Sequence, residues 1–202
     1  MFMKKIVLLM MLALGAFAAF GKSNDSEIKS LIIQHYKYLK ALDFEKAVEF
    51  YSTDCKCTDI DGTVETYSMI RNVFLAMDGA HPFEFAVVMA QIENGDKELT
   101  SAQKNALRKS NAWTMPDFLQ TYQKFVREYQ KELKTVAALE LKTLQFRSIK
   151  VTSSTAVVIC EYETMDYSTR EIYRETSTMK FRKQQGKWKL SEEVCRKGPF
   201  GK

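Results

Sequence analysis

Proline and glycine are scarce in this chain, at 3 and 8 of 202 residues. No Pro/Gly/Ser-rich linker and no internal repeat interrupts it, so the length fits one domain with a real core. Histidine is rarer still, at 2 residues, and the 4 cysteines (Cys55, Cys57, Cys160, Cys195) match no structural zinc spacing. No metal and no cofactor is expected. A nucleophile elbow and a glycine-rich phosphate loop are also missing. Charge of one sign is not in excess, and the only long apolar run lies at the start.

That run is Met1–Gly21. Lys4 and Lys5 form a basic start, Ile6–Leu14 an apolar stretch, and Ala16-Phe17-Ala18 and Ala19-Phe20-Gly21 are two small-x-small cleavage sites. It reads as an export signal, short for a span of about 20 residues. An uncleaved anchor is the competing reading. Export predicts a periplasmic or secreted protein, with no integral membrane span after cleavage. Loss of Lys4 and Lys5 takes Lys+Arg from 30 to 28 against 25 Asp+Glu, a net charge of +3. That is too mild for a nucleic-acid partner. An oxidising compartment permits disulfides, and four cysteines allow three pairings.

What is present is a run of strands at Leu144–Cys195. Leu144–Val151, Thr155–Thr164, Arg170–Lys183 and Lys187–Cys195 are dense in β-branched and aromatic residues, and short polar turns separate them. Such short connections force antiparallel neighbours, a meander. In the last strand Trp188, Leu190, Glu192 and Val194 share a face, so Glu192 falls on the apolar side. In the first, the apolar phase slips from Leu144 and Phe146 to Ile149 and Val151, which predicts a β-bulge near Arg147–Ser148. Lys180, Arg182, Lys183, Lys187 and Lys189 gather at the last hairpin. They read first as a solvated edge, second as an anion- or membrane-facing patch.

Helices precede the sheet. Asn24–Ala41 carries Ile28, Leu31, Ile32, His35 and Leu39 on one stripe. His35 reads first as a satisfied core histidine, second as a pocket-lining imidazole. Asp43 caps a short helix whose apolar face is Phe44, Ala47, Val48 and Tyr51. A short strand is expected at Lys56–Ile60, and a helix with Ile70, Val73, Phe74 and Met77 follows it. Pro82–Glu93 allows strand but is assigned helix, because Pro82 suits a first helical position. Thr100 and Gln103 form a capping box. Thr114–Leu141 is the longest helix, with a stripe of Phe118, Tyr122, Phe125, Tyr129, Leu133 and Val136. The stripe suits packing on the sheet or on neighbouring helices, and secondarily the seam of a homodimer.

Four pieces in this order resemble the nuclear transport factor 2-like superfamily, in its SnoaL-like branch. They are Ala41-Leu42-Asp43-Phe44-Glu45-Lys46-Ala47-Val48 with Tyr51, then Asp61-Gly62-Thr63, Thr155-Ala156-Val157-Val158, and Gly186-Lys187-Trp188-Lys189-Leu190. The resemblance covers Asp25–Ile70 and Leu144–Cys195, within one domain over 22–202. The stretch at about 71–143 departs from it as a long helical insertion. The resemblance implies an α+β fold of the cystatin-like kind, a curved antiparallel sheet wrapped around helices as a cone with an apolar cavity. It also implies that the short early strand lies beside the last one. That would bring Cys55 or Cys57 within reach of Cys195 for a disulfide.

On that sheet Glu192 would be a carboxyl in an apolar cavity, with its pKa raised. Asp59 or Asp61 would lie on the neighbouring strand. Relatives in the superfamily that isomerise steroids or cyclise polyketides use such carboxylates as bases. Glu192 is therefore the candidate catalytic residue. Asp59, Tyr162, Trp188, Leu190, Tyr173 and His35 are the candidate ligand-binding residues, the last two and Tyr162 as hydrogen-bond donors. The leading expectation is an exported module that binds a small apolar or amphipathic ligand or a protein partner. The alternative is a cavity enzyme of the isomerase, cyclase or dehydratase type. In a third reading side chains fill the cavity and the helical insertion is the binding surface.

Overall fold

The computed structural model describes residues 24–166 and 169–200. The expected export signal, Met1–Gly21, lies outside the described residues. Helix α1 (24–41) turns its apolar stripe to the sheet, with Ile28 and Ile32 fully buried. Leu42, at φ +60°, ends it: Leu42 N–H donates to the Leu39 carbonyl and Asp43 N–H to that of Tyr38. This closing turn is one where glycine is the usual residue. The Asp43 carboxylate then accepts from the Lys46 N–H at 3.3 Å and starts α2 (Phe44–Val48).

Tyr51 was expected on the apolar face of α2. It opens strand β1 (Tyr51–Thr58) instead, which begins earlier than the expected Lys56–Ile60. The cause is tertiary pairing: Leu190 N–H donates to the Phe50 carbonyl at 2.8 Å, so the sheet takes up the chain as soon as α2 ends. Asp59–Thr63 forms the turn, with Gly62 at φ +87°. A three-residue strand, β2 (Val64–Thr66), then pairs back on β1. It is too short to carry an alternation signal in sequence.

Thr66 caps α3 (Tyr67–Met77), α4 (Pro82–Glu93) starts on its proline, and α5 (Ser101–Ser110) carries the expected Thr100–Gln103 capping box. After a 3-10 turn at Ala112–Thr114 comes α6 (Pro116–Thr143), whose 28 residues make a rod about 42 Å long. The meander follows as β3 (Gln145–Val151), β4 (Thr155–Met165), β5 (Ile172–Gln184) and β6 (Lys187–Lys197). Arg170, expected within the third strand, stays in the preceding turn at φ +63°.

The six strands form one curved, open sheet in the order β2-β1-β6-β5-β4-β3. All neighbours are antiparallel except β1 and β6, which run parallel. The early strand therefore lies beside the last, as the resemblance implied. The register slips between Phe146 and Ser148, at the expected bulge. It slips twice more, in β1 between Tyr51 and Lys56 and in the β5–β6 pair at Lys180–Phe181. Each slip bends the sheet.

Two cores result. One joins α1 to the concave sheet face through Ile28, Ile32, Val158, Phe181 and Leu190. The other lies among the helices, where Phe44 of α2, Met77 of α3 and Phe85 of α4 meet Tyr122, Val126 and Leu133 of α6. Helix α6 bridges them: Tyr122, Val126 and Leu133 belong to the helical core, while Ala137 and Leu141 near its end reach the sheet core. Its apolar stripe is thus used within the chain.

The basic hairpin does not lie along a sheet edge, since β5 and β6 are interior strands. Lys180 pairs with Glu192, Arg182 with Asp54, and Lys183 lies over the Trp188 ring at 4.9 Å. Two of the cluster's five charges are thus ion-paired in place.

Candidate functional site

The site is set by one extra residue in β6. Trp188 and Leu190 face the core, and Leu190 stands opposite Phe181. The next pair is Lys180 with Glu192, so Ser191 is unmatched. A single unmatched residue reverses which side of the strand every later side chain takes. Glu192 is therefore turned outward, where its carboxylate meets Lys180 Nζ at 2.7 Å and remains 44% exposed. The expected placement of Glu192 on the apolar face is corrected. Glu193 takes the inward position, and Cys195 follows it on the same side.

Inward, Glu193 accepts from Ser177 Oγ at 2.6 Å. Burial raises its pKa to about 7 against the ordinary 4.5; the Ser177 bond opposes the rise and the charge of Glu175 adds to it. Glu175 itself accepts from Tyr162 OH at 2.6 Å and faces Tyr173 OH at 3.4 Å. A third carboxyl comes from α6: Glu140 accepts from Thr164 Oγ1 at 2.7 Å, and burial pushes its pKa up to about 8. Burial, with Glu193 and Glu175 adding, also raises the Cys195 thiol. The Cys57 thiol is raised by its contact with Cys55 first and by burial second. One end of the concave face is apolar; the other holds a group of carboxyls, hydroxyls and thiols.

That polar end opens into a cavity of about 260 Å³ between β1, β2, β6, α3 and α6. Tyr51, Phe74 and Tyr129 supply rings to its wall, and Ile70 and Val73 supply aliphatic surface. Its polar lining includes Cys57, Asp59, Glu65, Glu193 and Cys195, and among the described residues no lysine, arginine or histidine contributes. Asp59 and Glu65 stand at the exposed rim, while Glu193 lies deeper.

The candidate ligand-binding residues are dispersed. Asp59 lines this cavity. Tyr162 and Tyr173 point to the neighbouring Glu175. Leu190 is wholly within the core. Trp188 and His35 border a different groove of about 430 Å³ between α1, α2 and the β5–β6 turn, where Trp188 donates to Glu27 at 3.1 Å. His35 is buried, stacks on Phe50 at 4.1 Å and meets Tyr51 OH through Nε2 at 3.3 Å. Burial lowers its pKa to about 3, so it is neutral, as a core histidine is.

All four thiols are free. Cys57 stands opposite Glu193, not Cys195, in the parallel pair. An offset of two residues separates the Cα atoms by about 8 Å, beyond the reach of a disulfide. The Cys55 and Cys57 thiols are hydrogen-bonded at 3.6 Å, too far apart for a disulfide.

Glu193, Glu175 and Glu140 were missed at the level of sequence. Strict alternation selects Glu192, and nothing in Leu190-Ser191-Glu192-Glu193 marks Ser191 as the extra residue. An aromatic side chain at 191 or 193 would have revealed the change of phase.

No protein-family model matches the sequence, and no curated protein does. Solved structures do. A nuclear transport factor 2-like protein with a cystatin-like fold from Novosphingobium aromaticivorans is 12% identical, over 95% of this chain and 90% of that one, at a TM-score of 0.49. A nuclear transport factor 2-like protein from Cytophaga hutchinsonii is 10% identical, over 86% and 98%, at 0.47. A scytalone dehydratase-like protein from N. aromaticivorans is 11% identical, over 90% and 89%, at 0.46. These are likenesses of fold between chains of low identity. Function is read from this chain's own residues.

Proposed function

We propose that the protein is an exported module that binds a small ligand in the cavity of about 260 Å³ at the polar end of its sheet. The observation that carries this reading is Glu193, turned by the Ser191 bulge into a recess walled by aromatic and aliphatic side chains. Mostly apolar walls with a few convergent polar groups are what small-molecule sites share. The volume suits a ligand below drug size. Export rests on the Lys4–Gly21 pattern, and N-terminal sequencing of the mature chain checks it: a start after Ala18 or Gly21 supports cleavage.

The cavity is tested by filling it. Native mass spectrometry of the purified protein should detect a bound small molecule, or a small-molecule panel should raise the melting temperature. Val73→Phe should abolish either signal while the protein stays folded. Binding that survives in the filled variant would put the ligand elsewhere.

A second reading is favoured by the same carboxyl. With a pKa of about 7, Glu193 exchanges protons near neutrality, the condition under which a general base works best. It replaces Glu192 as the residue that an isomerase, cyclase or dehydratase activity would need. A rate that follows one ionisation near pH 7 and vanishes in Glu193→Gln supports catalysis.

A further inference from the structure

We propose that the cavity takes a small organic cation, an amine or a methylated ammonium with an apolar or aromatic body, its charge against Glu193 and its body against Tyr51, Phe74 and Tyr129. This rests on the ligand-binding reading above.

Charge balance points to it. On the outer face of the sheet, carboxylates meet cations: Glu161 with Arg147, Glu163 with Arg174, Glu192 with Lys180. Inside, among the described residues, Glu193, Glu175 and Glu140 meet hydroxyls and thiols and form no ion pair. The rim adds Asp59 and Glu65, and among the described residues no basic side chain lines the cavity. A buried carboxylate without a counter-charge is costly, and a bound cation would supply that charge. The walls supply the rest. Tyr51 and Phe74 lie 6.2 Å apart and tilted, and ring faces attract ammonium groups. Anions find no partner here. Bare metal ions fit poorly, since among the described residues no three His, Cys, Asp or Glu side chains converge to hold one.

Protonation of Glu193 should compete with the cation. The groups that face it are Tyr51 and Cys57 on β1, Glu65 on β2, Cys160 and Tyr162 on β4, Glu175 on β5 and Cys195 on its own strand, with Glu140 on α6 and Tyr36 on α1. None is a cation that would offset the carboxylate.

Isothermal titration calorimetry with four probes tests the inference: phenethylammonium, benzyltrimethylammonium, phenethyl alcohol and phenylacetate. Near pH 8 both cations should bind at least about tenfold more tightly than the alcohol, and phenylacetate should not bind. Benzyltrimethylammonium, whose charge does not titrate, should lose affinity as the pH falls through about 7. Glu193→Gln, checked for an unchanged fold by circular dichroism, should bring the cations down to the alcohol and leave the alcohol unchanged. Equal binding of alcohol and cation by the wild type, or a preference that survives Glu193→Gln, overturns the cation inference alone. Absence of binding by every probe, the alcohol included, overturns the inference and counts against the site itself.

Discussion

Two glutamates on one sheet behave in opposite ways. Glu161, on the outer face of β4, is only 3% exposed. Arg147 reaches it with two nitrogens, at 2.9 and 2.6 Å, and the Phe200 N–H donates to its other oxygen. The guanidinium holds its carboxyl below the usual range. Glu193, on the inner face of β6, receives a hydroxyl and no cation, and burial raises its pKa to about 7. The cover over Glu161 is thin, one side chain and the end of the chain. Glu193 lies between the sheet and the helices. The same residue type thus serves opposite ends. Outside, charge is neutralised and tied into structure; inside, it is left available. A carboxyl kept at a cost to stability, in a recess of suitable size, is the ground on which the binding site is proposed.

The signs of the two shifts make the comparison breakable. A carboxyl whose folded pKa is raised binds its proton more readily in the folded state. Between the unfolded value near 4.5 and the folded value near 7, stability therefore falls as pH rises, and the loss is complete above about 7. Glu193→Gln removes that loss. The variant should match the wild type near pH 4 and exceed it near pH 8 by about 1–3 kcal/mol in urea titrations. A variant less stable than the wild type at every pH would mean that Glu193 is structural.

Glu161 carries the reverse sign. Its depressed pKa contributes stability present above about 4.5 and lost as the pH falls through the lower, folded value. Arg147→Ala should therefore cost about 1 kcal/mol near neutrality, because the guanidinium is partly exposed. The cost should shrink in acid. A loss that ignores pH would assign Arg147 to packing alone. The smallest effect belongs to Glu192. Its pair with Lys180 is exposed on both sides, so Glu192→Gln should change stability by less than about 0.5 kcal/mol. Its ligand affinity should be unchanged. A clear loss of binding there would restore Glu192 to the site.

Much of the architecture was legible in sequence because the signals are local. The Thr100–Gln103 capping box, Pro82 at a helix start and the two-residue alternation of β4 each state their own geometry. The bulge in β3 was legible too, since Leu144, Phe146, Ile149 and Val151 show the apolar phase on both sides of the slip. The bulge at Ser191 was not. It is followed by Glu192-Glu193, where the residue types are identical and the phase leaves no trace. Its position depends on the pairing with Lys180 and Phe181, a tertiary fact. The same holds for Glu140, which sits among Leu139, Leu141 and Lys142 as an ordinary helix glutamate until the fold places it under Thr164. Sequence thus located the sheet and named Asp59 at the cavity rim, but placed the inward carboxyl one residue early, at Glu192 instead of Glu193.

The central claim is that Glu193 lies protonatable near neutrality inside the recess. Carbon-13 NMR of side-chain carboxyls, titrated against pH and assigned with Glu193→Gln, measures this directly. The expected result is a glutamate signal that titrates near 7 and disappears in that variant. A Glu193 signal that titrates below about 5, as an exposed glutamate does, would contradict it.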